Sequence, residues 1–468
     1  MTDDLLFAGV ERLAAATTSG DVSARELTEA CLARIDAANG RLNAFTNVMR
    51  DKALAEADAR DRSRADGREL GPLHGVPVAV KEELDVAGEV TTFGGRANVS
   101  PASRDAESVR RLREAGAVVV GKTAMPEFGQ WPFTESAANG ITRNPWDTDR
   151  STGGSSGGTA AAVASGMVPF GLGGDGGGSI RIPSACCGLY GLKPQRGRVS
   201  SDPNDHLWWA LGTTGPLTRS VMDSAIVYDV IRGTLPGERF SADEPYSSFV
   251  DAVRAPFEPL RIAWSTKPVT LGVRPDPENV AAVKATVELL ASLGHRVVEV
   301  DPGYPDPTAA FVPQFFGGVR AEADLVEHPG RLERRTRETL RLGRWVRPAV
   351  VEWALRQGEK VAEKTNRIFD AYDLLLTPVI APRPPEVGAL DGVGTVGAAL
   401  RSMPMIAYTA LWNVTGNPAA SVPAGFGSDG LPLAVQLVGR PGDEPTILTV
   451  SAQLEKARPW ADTRPVVS

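Results

Sequence analysis

Hydrophobic and polar positions alternate along this chain in blocks that predict strands and helices in close succession. The run GVPVAVK from Gly75 to Lys81 is apolar almost to its last residue. It predicts a buried strand, with Pro77 tolerated near the start or at a sheet edge. In SRDAESVRRLREAG, the residues Ala106, Val109 and Leu112 recur on one helical face and Gly116 supplies a stop. AVVVG follows at once, so strand, helix and strand form a βαβ unit and argue for parallel pairing. A helix is predicted over residues 24–39, and PDPENVAAVKATVELLASLG followed by HRVVEV repeats the helix-to-strand pattern. The expected class is therefore α/β. Length alone allows about three domains, but no low-complexity linker or internal repeat divides the chain, and a single domain over 1–468 is expected.

Charge and composition narrow the partners. Fifty basic against 57 acidic side chains leave a net charge of −7, which gives no electrostatic footprint for nucleic acid or an anionic membrane. No run of 18 apolar residues occurs, and the start MTDDLLFAGVERLAAATTSGD lacks a basic signal-peptide region, so a cytoplasmic protein is expected. Cys31, Cys186 and Cys187 make a disulfide framework improbable, and the adjacent pair reads as packing rather than a metal site. Seven arginines between Arg331 and Arg347, interleaved with Glu333 and Glu338, read as a solvated helix face with i to i+4 ion pairs.

Candidate chemistry is concentrated where glycine is. Eleven of the 26 residues from Gly153 to Gly178 are glycine, with Ser155 in GGSSGG and Ser179 in GGDGGGSIR at the two ends. Backbone that must approach a ligand closely needs residues without a Cβ, and main-chain N–H groups suit a reaction that develops negative charge on oxygen. A phosphate loop of the form GxxxxGK[ST] is excluded because neither segment supplies the lysine. The GxSxG patterns centred on Ser155 and Ser156 invite comparison with a nucleophile elbow. That elbow needs a preceding strand and a histidine base, whereas polar, proline-containing sequence precedes it and none of His74, His206, His295 and His328 sits in a marked context. Lys81, ending an apolar strand, offers a different base: desolvation there disfavours the ammonium form. The plainer alternative is that Lys81 reaches solvent or pairs with Glu82 or Glu83.

From Gly75 to Arg219 the motifs GVPVAVK, DVAGEVTTFGG, AVVVGKTAMPEFG, TRNPWD, STGGSSGGTAAAVASG, GGDGGGSIRIPSACCGLYGLKPQRGRVS and GPLTRS occur in that order. This set resembles the amidase signature family, and YDLLLTPVIAP and the segment from NVTGNPAASVPAGF to LPLAVQLVGR are also similar. The resemblance covers a signature core of about 75–219 and most of the rest, while about 233–370 match little and are expected to set specificity. It implies a mixed central β-sheet surrounded by helices and a Ser-cisSer-Lys triad. Ser179 would be the nucleophile, Ser155 the bridging serine after a cis peptide, and Lys81 the terminal base. Gly176, Gly177, Gly178 and Ser179 would give backbone N–H groups to the oxyanion. The implied reaction is cleavage of the C–N bond of a carboxylic amide or acylhydrazide through an acyl-enzyme, with neither cofactor nor metal.

Three departures from the family's usual pattern leave the triad in place and alter its surroundings. Gly176 stands where a larger residue such as threonine is more frequent, Pro126 gives MPEFG, and Glu82 and Glu83 replace Asp-Asn after the lysine. Gly129, Trp131, Phe133, Trp208 and Trp209 are candidates to line the substrate pocket, where aromatic side chains would stack on an apolar acyl group. Expected partners are a small amide or hydrazide and neither nucleic acid nor membrane, with a homodimer left open. Two rival functions stay open as well: the glutamine-hydrolysing subunit of a tRNA-dependent amidotransferase, and a noncatalytic ligand-binding relative.

Overall fold

The computed structural model describes residues 5–256 and 258–467. Its centre is an 11-stranded sheet. The strands are β1 (Phe45–Val48), β2 (Pro77–Lys81), β3 (Val118–Thr123), β4 (Phe170–Gly174), β5 (Tyr190–Lys193), β6 (Thr214–Thr218), β7 (Arg261–Trp264), β8 (Arg296–Glu299), β9 (Leu374–Pro378), β10 (Ala419–Phe426) and β11 (Pro432–Gly439). Their order across the sheet is β1-β3-β2-β4-β6-β5-β10-β11-β9-β7-β8. The pairs β2 with β3, β2 with β4, β9 with β7 and β7 with β8 are parallel, and the others are antiparallel. The sheet is mixed, as expected.

Burial on both faces explains why β2 and β3 read as apolar runs rather than as alternating ones. Val78, Val80 and Val119 enter one core layer, whereas Ala79, Val118 and Val120 enter the opposite one. Helix α1 (Ala24–Leu42) starts with a capping box between Ser23 and Glu26 and runs past the expected end. Helix α2 (Glu107–Glu114) makes the crossover between β2 and β3, burying Val109 and Leu112. Pro77 is tolerated because it opens β2, although that strand is central.

Further along, α3 (Gly157–Ala164) follows GGSS and α4 (Arg181–Cys187) follows GGGSI, so each glycine-rich segment leads into a helix. The predicted helix-to-strand pair appears as α5 (Pro277–Ser292), capped by Asp276, and β8. Helices α6 (Thr308–Asp324) and α7 (Arg334–Leu342) lie in the segment expected to set specificity. In α7 one expected ion pair, Arg334 with Glu338 at 3.4 Å, is present. Arg335 is used differently, donating to the carbonyls of Leu390 at 2.7 Å and Val393 at 3.2 Å. All three cysteines are buried as free thiols, and none of the helices is long and apolar enough to cross a membrane, among the described residues.

Candidate active site

Parallel neighbours bring their carboxyl ends to one edge of the sheet, the place where open α/β sheets bind ligands. Lys81 ends β2 and Gly174 ends β4, in register through Val78 with Phe170 and Val80 with Leu172. GGSS and GDGGGS are thereby set beside the lysine. Ser156 staples the two segments: its N–H donates to the Ser179 carbonyl at 3.3 Å and its hydroxyl to the Gly174 carbonyl at 3.2 Å. Thr134 fixes the other side of GGSS, donating to the Gly153 carbonyl at 2.9 Å and accepting from Gly157 N–H at 3.1 Å.

The Lys81 amine donates to Ser155 Oγ at 2.8 Å, both side chains being buried, and the peptide bond before Ser155 is cis. Lys81 also meets Glu83 Oε2 at 3.0 Å. The candidate base and the plainer ion-pair reading are thus found at one atom, since Lys81 Nζ meets both the serine hydroxyl and the Glu83 carboxylate. Ser179 lines the same cavity as Lys81 and Ser155. Among the described residues no hydrogen bond joins Ser155 Oγ to Ser179 Oγ.

Asp175 organises the loop that carries Ser179. Its carboxylate accepts from Gly178 N–H at 2.7 Å, Ile180 N–H at 3.2 Å and the Arg181 guanidinium at 2.9 Å and 3.0 Å. Burial is the largest influence and opposes its ionisation, but Arg181, Lys193 and Asn413 together hold the carboxyl far below its ordinary range. Arg181 in turn reaches Asn413, Gln436 and the Thr409 carbonyl. This corrects one expectation: the Gly178 N–H is committed to Asp175, which leaves Gly176, Gly177 and Ser179 as the N–H groups without a partner among the described residues. Gly178 has φ +130°, and a Cβ there would sit 2.5 Å from Thr409 Oγ1, so its glycine serves close packing.

Two cavities meet at Ser179. The larger, about 330 Å³, is an apolar chamber walled by Trp131, Phe311, Phe315, Phe316, Ile406 and Leu411. The smaller, about 40 Å³, holds Lys81, Ser155, Glu83, Thr213 and Glu322. Gly129 and Trp208 line both, forming the partition with Ser179. Of the aromatic candidates, Phe133 and Trp209 line neither cavity. Phe133 is buried in a core layer, with its main chain close to Gly154, and Trp209 stacks on His206 with Arg239 over its ring. Both indoles belong to a turn with positive φ, 49° at Trp208 and 60° at Trp209, which sends the two rings to different surroundings.

Several lining residues escaped the sequence reading. Glu322, on α6, accepts from Trp208 Nε1 at 2.9 Å through Oε1, while its buried Oε2 has no partner. Burial, with Glu83 opposite, pushes its carboxyl well above the ordinary range. Gly176 is explained by Trp208, because a Cβ at 176 would stand 3.1 Å from that indole. At Gly174 an added Cβ would stand 2.0 Å from Glu83 Oε1 and would displace that carboxylate. The histidines take no part: His295, for example, accepts from Leu260 N–H at 3.2 Å and meets Gln453 at 2.9 Å.

Comparison with known proteins places this arrangement among others. The amidase family model matches residues 26–448. The Mycobacterium tuberculosis protein named "Putative amidase AmiB2" is 48% identical over 468 residues, covering 99% of each chain. The glutamyl-tRNA(Gln) amidotransferase subunit from Chloroflexus aurantiacus is 37% identical over 480 residues, with 96% of each chain covered. Among solved structures, 6-aminohexanoate cyclic dimer hydrolase with its substrate superposes with a TM-score of 0.91 at 33% identity over 99% of each chain.

Proposed function

Because this chain belongs to the amidase family and is an amide-hydrolysing enzyme, we propose that it attacks the carbonyl of a small apolar carboxylic amide with Ser179, using Ser155 and Lys81 as a proton relay. The observation that carries this reading is the buried 2.8 Å contact from Lys81 to Ser155 in a cavity that Ser179 shares. Serine is a weak nucleophile at neutral pH and needs a proton acceptor as it attacks. Ser155 takes that proton and passes its own to Lys81 in the free-amine form. The Ser155 to Ser179 hydrogen bond closes when substrate binds, as catalytic hydrogen bonds often do. The unpaired N–H groups of Gly176, Gly177 and Ser179 receive the developing oxyanion, each aligned donor contributing roughly 3 kcal/mol.

An acylhydrazide offers the same carbonyl to the same nucleophile, so the relay serves either substrate. The reading as one component of an amidotransferase requires partner chains. Hydrolysis by the purified chain alone, without ATP or tRNA, supports the free-standing enzyme. The test is turnover of an amide panel by wild type, Ser179→Ala, Ser155→Ala and Lys81→Ala. We expect Ser179→Ala and Lys81→Ala each to lose at least about 1000-fold in kcat, and retention of wild-type rate by either refutes its role.

A further inference from the structure

Resting on the relay just proposed, the geometry points to a division of labour between the two cavities. We propose that the small cavity is the leaving-group subsite, that it admits an unsubstituted amide nitrogen, and that Glu322 is the residue that selects for it. The preferred substrates are then primary amides of apolar acids, with the acyl group in the large chamber and ammonia released on the small side.

Proton balance fixes which half goes where. When Ser179 Oγ bonds to the carbonyl carbon, its proton passes to Ser155 and that of Ser155 to Lys81. When the C–N bond breaks, the relay runs backwards and Ser155 delivers a proton to the departing nitrogen. That nitrogen must therefore face Ser155 and Lys81, and these two side chains line the small cavity but not the apolar chamber. Ammonia leaves, and a water enters from the same side, gives its proton to the relay and attacks the ester carbon. Release of the carboxylic acid restores Ser179. The same space must thus accept NH₃ and H₂O in turn, two molecules of similar size and hydrogen-bonding capacity.

The dimensions and lining suit that task. About 40 Å³ accommodates a water-sized group, whereas an aryl amine needs space of the kind the 330 Å³ chamber offers. Two buried oxygens in the small cavity lack partners, Glu322 Oε2 and Thr213 Oγ1. Both side chains line the cavity, and a substituent on the amide nitrogen would compete with them for that space. Glu322 is held in place by Trp208, which lines both cavities. Two of the departures from the family pattern fall in this cavity: Glu83 faces Lys81, and Gly176 makes room for Trp208.

The test compares benzamide, N-methylbenzamide and benzanilide, which share one acyl group, on wild type, Glu322→Ala and Glu322→Gln, with Ser179→Ala as control. Wild type is expected to prefer benzamide over benzanilide by at least about 100-fold in kcat/KM. Glu322→Ala, by enlarging the cavity, should narrow that ratio at least 10-fold. Glu322→Gln keeps the side chain's size and, with its amide oxygen on Trp208 Nε1, should retain the size-based preference, which separates lost selectivity from lost folding. Thr213→Ala provides a second enlargement of the same cavity on another element and should shift the ratio the same way. A wild type that cleaves benzanilide as readily as benzamide, or a ratio unmoved by both enlargements, overturns the assignment. An active Ser179→Ala enzyme would instead defeat the underlying relay, so the two failures are distinguishable.

Discussion

Lys81 shows how one residue carries both the legible and the illegible part of this site. Its place at the end of an apolar run made it a candidate for burial, with reach to solvent as the alternative, and it is 1% exposed. The sequence left open whether Glu83 would pair with it, because neighbours two apart in a strand share a face only if the strand continues. Here β2 ends at Lys81 and the chain turns, which brings the carboxylate back onto the amine. Glu127 gives a second residue-scale consequence. Burial raises its carboxyl from 4.5 to about 7. A folded-state pKa above the unfolded one means that the native state binds the extra proton, so stability falls as pH rises through the interval from about 4.5 to about 7. Glu127→Gln should therefore match wild type near pH 5 and exceed it by up to about 3 kcal/mol at pH 8. Urea unfolding at the two pH values measures this, and an unchanged difference between them contradicts it.

At the scale of elements, the decisive unit is the segment from β4 to α4. Its glycines announced a backbone-built cradle, and the structure shows how that cradle is held: Asp175 gathers the N–H groups of Gly178 and Ile180, and Arg181 ties the carboxylate to Asn413 and Gln436. The partners at 413 and 436 lie more than 200 residues away, so no local pattern could reveal them. Asp175→Asn leaves the Arg181 guanidinium buried without its counter-charge. It should cost about 3 to 5 kcal/mol of stability, read by denaturant unfolding, and, on the proposed oxyanion role of the neighbouring N–H groups, lower kcat more than it changes KM. Wild-type stability in that variant would show that the lock is dispensable. The βαβ unit of β2, α2 and β3 was legible for the opposite reason, its signals lying within about 50 consecutive residues.

For the whole molecule, the sheet places the relay and the apolar chamber on different stretches of sequence. Lys81, Ser155 and Ser179 come from motif-rich segments before residue 219, whereas Phe311, Phe315, Phe316 and Glu322 come from α6, where no short motif stood out, although the family model runs through it. The glycine-rich serines and the lysine were visible as motifs, and their proposed roles came from resemblance to a family. The chamber wall was not visible, because helical apolar residues look alike whether they face a core or a cavity. Trp208 and Trp209 make the same point at close range: adjacent and identical, one partitions the two cavities and the other stacks on His206.

Locating the covalent intermediate tests the central claim most directly. The purified chain, with no nucleotide or partner present, is mixed with an activated benzoyl ester, quenched in acid within the first turnover and analysed by peptide mass spectrometry. The account predicts a benzoyl mass increase on the peptide containing Ser179, absent in Ser179→Ala and slowed at least about 100-fold in Lys81→Ala. A benzoyl group found on Ser155, or continued turnover with Ser179 replaced, would contradict it.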